Sequence, residues 1–313
     1  MPQTASAVTP AIGTQEQGRG RRLSTLTPYL FLAPYLGLFG LFVLVPAVFG
    51  VWISLHNWDY MLDAQPFVGL DNYLRLFRAE SATGELFWRS MRATAIFTAY
   101  SLPPLIVIPL AVALILNRRF PGRTFFRAVY FAPYVLGVAV IGVLFQFVLD
   151  PNIGLVNYYL TQLGVDRTIP WTTALPWAWI SLIAVTVWWT LGFNAVIYLA
   201  GLQEIPRDLY EAAAVDGASG RQRFRHVTLP GLRRVLMFVV TITLLASANM
   251  FGQSYLITQG GPGTQTRTAI MYIAEEGLGS FRMGSAAAMS YLLAAFLIGV
   301  ARTMYAMFRR WED

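Results

Sequence analysis

Six long apolar runs constrain this chain more than any other feature. They cover roughly residues 28–55, 93–116, 128–149, 175–201, 235–258 and 283–308. A bilayer core about 30 Å thick is crossed by about 20 residues of helix, and each run reaches that length. Inside hydrocarbon only helices and closed barrels satisfy every backbone N–H and C=O group. Continuous runs of this length belong to helices, so the spacing predicts an all-α membrane protein with six transmembrane helices. The composition agrees: 56% of the residues are hydrophobic and 12% are charged, against about a quarter charged in soluble domains. The run between Arg92 and Asn117 holds no charge, and the run from Ala128 to Leu149 has Gln146 as its one strongly polar side chain. The first run is too long for a signal peptide and no small-residue cleavage site follows it, which predicts a retained helix. Pro34, Pro46, Pro103, Pro104, Pro109 and Pro133 fall inside runs and are expected as kinks, their freed carbonyls satisfied by neighbouring helices. Arg302 interrupts the last run and is expected to snorkel to the membrane surface.

Orientation follows from the basic residues, all 23 of which are arginine. With both termini inside, sixteen arginines fall in inner segments and seven in outer ones, which places both termini in the cytoplasm. The net charge of +7 is spent on the segments between apolar runs, which argues for a lipid bilayer and against nucleic acid. The chain has no cysteine, which excludes disulfides and thiolate chemistry. Its two histidines, His56 and His226, lie too far apart in sequence to suggest a metal cluster. No run carries an ionisable residue at its centre, which weakens an ion-coupled pump. A phosphate-cradling P-loop needs G-x-x-x-x-G-K-[ST], and a chain without lysine cannot contain one. The expected domains are a disordered cytoplasmic segment over 1–27, the membrane domain over 28–308 and a cytoplasmic tail over 309–313.

The inner loop at about 203–233 carries the most information. Pro206 stands where a helix starts without losing a hydrogen bond, and strong helix formers run from Arg207 to Asp216. Gly217 suits a left-handed stop, and Ser219 suits the cap of a second short helix reaching about Val227. Leu229 and Pro230 then lead into the fifth run. The result is a helix-turn-helix lying along the membrane with a small-residue face flanked by charge. Glu211-Ala212-Ala213, then Gly217, Val227 and Leu229-Pro230, at this spacing, resembles the EAA loop of ABC importer permeases, with valine in place of the usual isoleucine. Phe31-Leu32-Ala33-Pro34, Pro46, Trp58-Asp59 and Phe67-Val68-Gly69-Leu70-Asp71-Asn72-Tyr73 look like the opening of the first permease subunit of maltose- and glycerol-3-phosphate-type importers. Asp150-Pro151 with Gly154-Leu155-Val156-Asn157, and Gly260-Gly261-Pro262 with Thr268 and Tyr272, are similar to later outer loops of those proteins.

The resemblance implies the ABC importer permease fold in a bacterial cytoplasmic (inner) membrane. It implies a homologous second permease, two ATP-binding-cassette ATPase subunits holding ATP and Mg, and an extracytoplasmic solute-binding protein. This chain itself would hold no cofactor or metal and would be no enzyme. Glu211, Ala212, Ala213, Asp216, Gly217, Leu229 and Pro230 would form the ATPase-coupling loop, with Glu211 pairing a basic group on the ATPase. The solute path for a sugar-like molecule has candidates on two runs: Thr186, Trp189 and Thr190 on the fourth, and Thr243, Ser247 and Met250 on the fifth, with Asn249 and Gln253 nearby. In the maltose-type permease the positions corresponding to the first six of these hold the sugar. The bland reading of the same residues is interhelical hydrogen bonding. His226 reads as a loop surface residue, Trp58 and Asp59 as interface anchors. Gly260-Gly261-Pro262 fits either a turn or a contact with the solute-binding protein. A carrier acting alone fits the runs but leaves the loop spacing unexplained, and an intramembrane enzyme lacks paired acids or a nucleophile at depth.

Overall fold

A computed structural model describes residues 17–165 and 168–309. Most of the expected disordered segment and all but the first residue of the expected tail therefore lie outside the described residues. Helix α1, Gln17–Phe39, starts within the segment expected to be disordered.

The chain divides between Trp52 and Ile53 into two compact units. In the first, α1 passes through a π-helical turn at Gly40–Leu44 into α2, Val45–Ser54. The Val45 N–H bonds back to the Gly40 carbonyl, and this wider turn is where the helix absorbs Pro46, which has no N–H to give.

The second unit is built on α4, Ala82–Leu116, and α8, Trp177–Glu204, preceded by a short helix α3, Asp71–Arg75. At 35 residues, α4 spans about 52 Å and overreaches the apolar depth of a bilayer. Its first turns carry Glu85, paired with Arg89 at 2.9 Å, and Ser81 caps it by accepting from the Gly84 N–H at 3.2 Å. Those charges hid the helix start from the apolar pattern.

The third expected span is not one helix. It is split into α5, Arg123–Val135, and α6, Val138–Val148, which meet at 94°. Leu136 and Gly137 are extended (ψ 134° and 151°). Pro133 was expected to kink this span; the chain breaks instead just after it. The Leu136 carbonyl, lost to the helix ladder, accepts from the Trp189 indole N–H at 3.0 Å. A loop helix α7, Leu155–Gln162, follows. Just before it, Asp150 accepts from the Asn152 and Ile153 N–H groups. Those bonds, Ile153 first, hold its carboxyl below the ordinary range.

After α8 come α9, Arg207–Val215, and α10, Gly220–Arg223, which runs through a π-helical turn at Phe224–Thr228 into α11, Leu229–Gly231. The chain bends by 68° into α12, Arg233–Ala248. The fifth expected span is also interrupted. Asn249 leaves helical geometry and Met250 and Phe251 are irregular before a short helical stretch at 252–258. The final helices are α13, Ala269–Ala274, and α14, Met283–Arg309.

Among the described residues four helices are long and apolar enough to cross a membrane, or six if each bent pair is one span. The spans at 175–201 and 283–308 thus match α8 and α14 closely. Three buried clusters hold the second unit together. One joins Ala113, Tyr198, Leu202, Leu232 and Val239 beside the loop at 203–233. A second joins Leu76, Phe87, Tyr272 and Met289. The third joins Phe97, Ile141, Leu182, Met250 and Ile257. Gly192 sets the α5–α8 distance: a Cβ there would lie 2.3 Å from the Tyr130 carbonyl oxygen, so the two backbones touch.

Candidate functional site

The two interruptions lie beside each other and open a cavity of about 600 Å³. All eight path residues from the two runs line it: Thr186, Trp189, Thr190, Thr243, Ser247, Asn249, Met250 and Gln253. Tyr134, Phe193, Phe97, Phe238 and Phe251 add aromatic walls. Tyr134 stacks on Phe193 with ring centroids 4.6 Å apart and leans toward Trp189 at 6.4 Å. No charged side chain is among the lining residues.

Hydrogen bonding sorts these residues. Thr186 donates to the Leu182 carbonyl at 2.7 Å and Thr190 to the Thr186 carbonyl at 2.8 Å, both within their own helix. The Trp189 N–H is committed to Leu136, leaving its ring face to the cavity. Ser247 accepts from Ser101 at 3.4 Å. Asn249 donates to the Leu245 carbonyl at 2.7 Å, closing the end of α12 and keeping its amide oxygen free for another partner. Gln253 is 7% exposed and its amide makes no hydrogen bond among the described residues. Its amide nitrogen and oxygen are not fully buried, so Gln253 is the side chain most available to a ligand.

Two placements differ from the sequence expectation. Met250 does not continue the α12 face with Thr243 and Ser247. It lies past the helix end, buried in the third cluster, and its carbonyl accepts from Thr268 at 2.7 Å. Asn194 was not singled out, yet it organises the site. Its amide donates to the Leu105 carbonyl at 3.1 Å and to Thr243 Oγ1 at 3.3 Å. The Leu105 carbonyl is free because its helical donor would be Pro109, which has no N–H. An asparagine in a long apolar run opposite a proline-rich one was the available signal.

The loop at 203–233 has the expected helix start, left-handed stop and capped second helix. Pro206 precedes α9, and Asp216 ends it with Gly217 at φ 73°. The Ala218 N–H reaches the Ala213 carbonyl at 2.9 Å and the Gly217 N–H the Ala214 carbonyl at 3.1 Å, the hydrogen-bond pattern of a left-handed helix stop. Ser219 and Gln222 form a reciprocal capping box at the start of α10. Tyr210 bonds Thr228 Oγ1 at 3.0 Å and, with buried Ile205, anchors the loop to the first cluster. Glu211, Ala212, Asp216, Gly217, Leu229 and Pro230 are exposed and Ala213 is half-buried. Leu209 and Val215 on α9 are exposed apolar groups, Val215 at 88%. Glu211 has no ion-pair partner among the described residues. His226 is exposed, as its loop position implied.

In the loops expected to lie outside, Asn72 donates to the Ser54 and His56 carbonyls at 2.8 and 2.9 Å, and the Trp58 carbonyl accepts from the Gly284 N–H at 3.1 Å. Trp58 and Asp59 are thus half-buried parts of a folded loop. Gly260 is left-handed (φ 77°), and Thr266 ties the turn together through the Gly260 and Gly261 carbonyls.

A broken-helix cavity in an all-α bundle, with an exposed capped helix at one end, is the architecture of a membrane permease. Residues 88–312 match the family described as "Binding-protein-dependent transport system inner membrane component", and the chain belongs to that family. It is 36% identical over 260 residues to the trehalose/maltose transport system permease protein MalF of Thermococcus litoralis, covering 82% of this chain and 86% of the relative. It is 31% identical to a probable ABC transporter permease protein, YurN, of Bacillus subtilis, covering 92% and 98%. A solved bacterial alginate ABC transporter, in complex with alginate pentasaccharide-bound periplasmic protein, contains a chain of the same fold. The match has TM-score 0.78 and 25% identity, and covers 94% of this chain and 98% of that one. The fold is therefore that of an ABC importer permease, and the protein is a membrane-spanning transport component rather than an enzyme.

Proposed function

We propose that this chain is the first permease subunit of an importer for an uncharged sugar or related polyol in a bacterial cytoplasmic membrane, with both termini inside. It would pair with a homologous permease and receive solute from an external solute-binding protein. ATP hydrolysis on two separate subunits, which hold ATP and Mg, would drive it. The observation that carries the solute class is the cavity at the two helix breaks. Its walls are aromatic faces and neutral hydroxyls and amides, the groups that meet sugar C–H faces and hydroxyls, and its lining contains no arginine to hold a phosphate or carboxylate. The relatives named for trehalose/maltose and alginate transport support a carbohydrate.

Coupling rests on α9. Exposed Glu211 has no ion-pair partner among the described residues, Ala212 and Ala213 keep the helix surface low, and Gly217 turns the backbone away. A docked helix of this kind transmits closure of an ATPase pair as a rigid-body movement of the bundle. In the assembled transporter, Glu211→Lys is expected to abolish solute-stimulated ATP hydrolysis while the subunits still co-purify. Wild-type stimulation in that variant would remove α9 from the coupling path. For the solute site, Gln253→Leu should lower uptake by about tenfold with basal ATP hydrolysis intact, and unchanged uptake would displace the solute from this cavity.

A further inference from the structure

Next to α9 lies a second cavity, of about 630 Å³, and its lining is strongly basic. Arg119, Arg123, Arg127 and Arg207 all face it, together with Asn117 and Tyr210. None of the four arginines takes part in an ion pair among the described residues. The acids nearest in sequence, Glu204 and Asp208, do not line it. Arg127 donates one Nη to the Leu116 carbonyl at 3.1 Å, and its buried Nε has no partner. Gly122 caps α5 without a side chain, so the first-turn N–H groups of this 13-residue helix are open to water or an anion.

With no paired counter-charge among the described residues, the four guanidinium groups repel one another. An occupant with several anionic oxygens would relieve that repulsion, because guanidinium pairs phosphate bidentately. The surroundings indicate which phosphate. Phe120, Phe125 and Phe126 form a ring cluster with centroid distances of 6.0 and 5.9 Å, and Phe125 is 67% exposed. Beyond them α5 presents exposed Val129 and Val135 along the segment that enters the apolar run. Arginines interleaved with phenylalanine rings at the start of such a helix, with exposed apolar side chains immediately beyond, match the boundary between lipid headgroups and acyl chains.

We propose that this cavity is a binding site for the headgroup phosphate of an anionic phospholipid, held by Arg119, Arg123, Arg127 and Arg207. The lipid would bridge the 117–127 segment to the start of α9, so its occupancy would brace the coupling loop. The site does not depend on the solute assignment.

The test uses the transporter purified from its native membrane through a tagged copy of this chain, with retained lipid measured by mass spectrometry. Phosphatidylglycerol is the probe. Wild-type complex is expected to retain it against a phosphatidylcholine wash, and the Arg119→Gln/Arg123→Gln double variant to retain at least about tenfold less. Inorganic phosphate in the wash should not displace it. Equal retention by the double variant would overturn the proposal. Displacement by inorganic phosphate would identify a free-anion site instead. Loss of the ATPase subunits from the double variant, with lipid unchanged, would reassign the arginines to an acidic partner surface. The milder Arg123→Lys variant keeps the charge without the bidentate fork, and should retain an intermediate amount if the variant complexes are folded.

Discussion

At the scale of single residues, a few side chains carry loads that their neighbours cannot share. Asn194 satisfies a carbonyl that Pro109 orphans and also engages Thr243. Asn194→Leu removes both bonds, and a loss of about 1 kcal/mol is expected, the scale of interhelical hydrogen bonds in membranes. The check is thermal unfolding of the purified complex, with Asn194→Asp as a control that keeps the shape but loses the donor. Gly192 is constrained by backbone rather than by a flexible neighbour, with the Tyr130 oxygen and the Phe131 Cα in the way of any Cβ. Gly192→Ala should therefore force α5 and α8 apart and cost about 1–3 kcal/mol; a variant as stable as wild type would contradict the close approach. Trp189→Phe keeps the aromatic wall but strands the Leu136 carbonyl. It should lower stability by about 1 kcal/mol with less effect on solute affinity than Trp189→Ala, measured by solute-dependent ATP hydrolysis.

At the scale of elements, the α9 stop and the two broken spans matter most. Gly217 has open space around its Cα but a left-handed φ of 73°. Substitution there meets backbone strain, not a clash. Gly217→Val should cost about 1–2 kcal/mol in the loop and reduce coupled ATP hydrolysis. Gly217→Asn, which tolerates the left-handed region, should retain most of it. Equal loss in both would point to a steric role at the partner surface instead. The broken spans share one logic: Pro133 and Gly137 interrupt the third crossing, and Asn249 closes the α12 end before the chain restarts at Gly252. Irregular backbone at membrane depth is tolerated where it lines a cavity, and both breaks line the same one.

At the scale of the whole molecule, one helix pair connects the broken-helix cavity to the 203–233 loop. The middle of α8, with the end of α12, lines the cavity. The far end of α8, with the start of α12, joins the cluster that anchors the loop. Under the proposed function, a movement imposed on α9 would reach the cavity through packed side chains rather than through a flexible linker. Pulling a tagged copy of this chain from membranes is expected to bring down an ATP-hydrolysing subunit whose activity rises when solute-loaded binding protein is added. A complex that lacks such a subunit would leave a six-run membrane protein without its motor.

The sequence by itself determined the number and type of the apolar runs, because burying backbone in lipid requires long uninterrupted helix-forming stretches. It also determined the 203–233 loop, because proline, glycine and serine act on the backbone locally: Pro206, Gly217 and Ser219 stand where a start, a stop and a cap were expected. Helical spacing grouped Thr186, Trp189 and Thr190 on one run and Thr243 with Ser247 on another, but not Met250, which lies past the helix end. What only the tertiary structure decided depends on neighbours distant in the chain. The break at Leu136 is completed by Trp189, fifty-three residues away, whose indole N–H donates to the freed carbonyl. Asn194 matters because Pro109 frees a carbonyl on another helix. Gln253 stands out because Thr186, Trp189, Thr190 and Asn249 spend their donors on backbone carbonyls. Periodicity along one strand of sequence encodes which face is apolar, but not which polar group across the bundle is already taken.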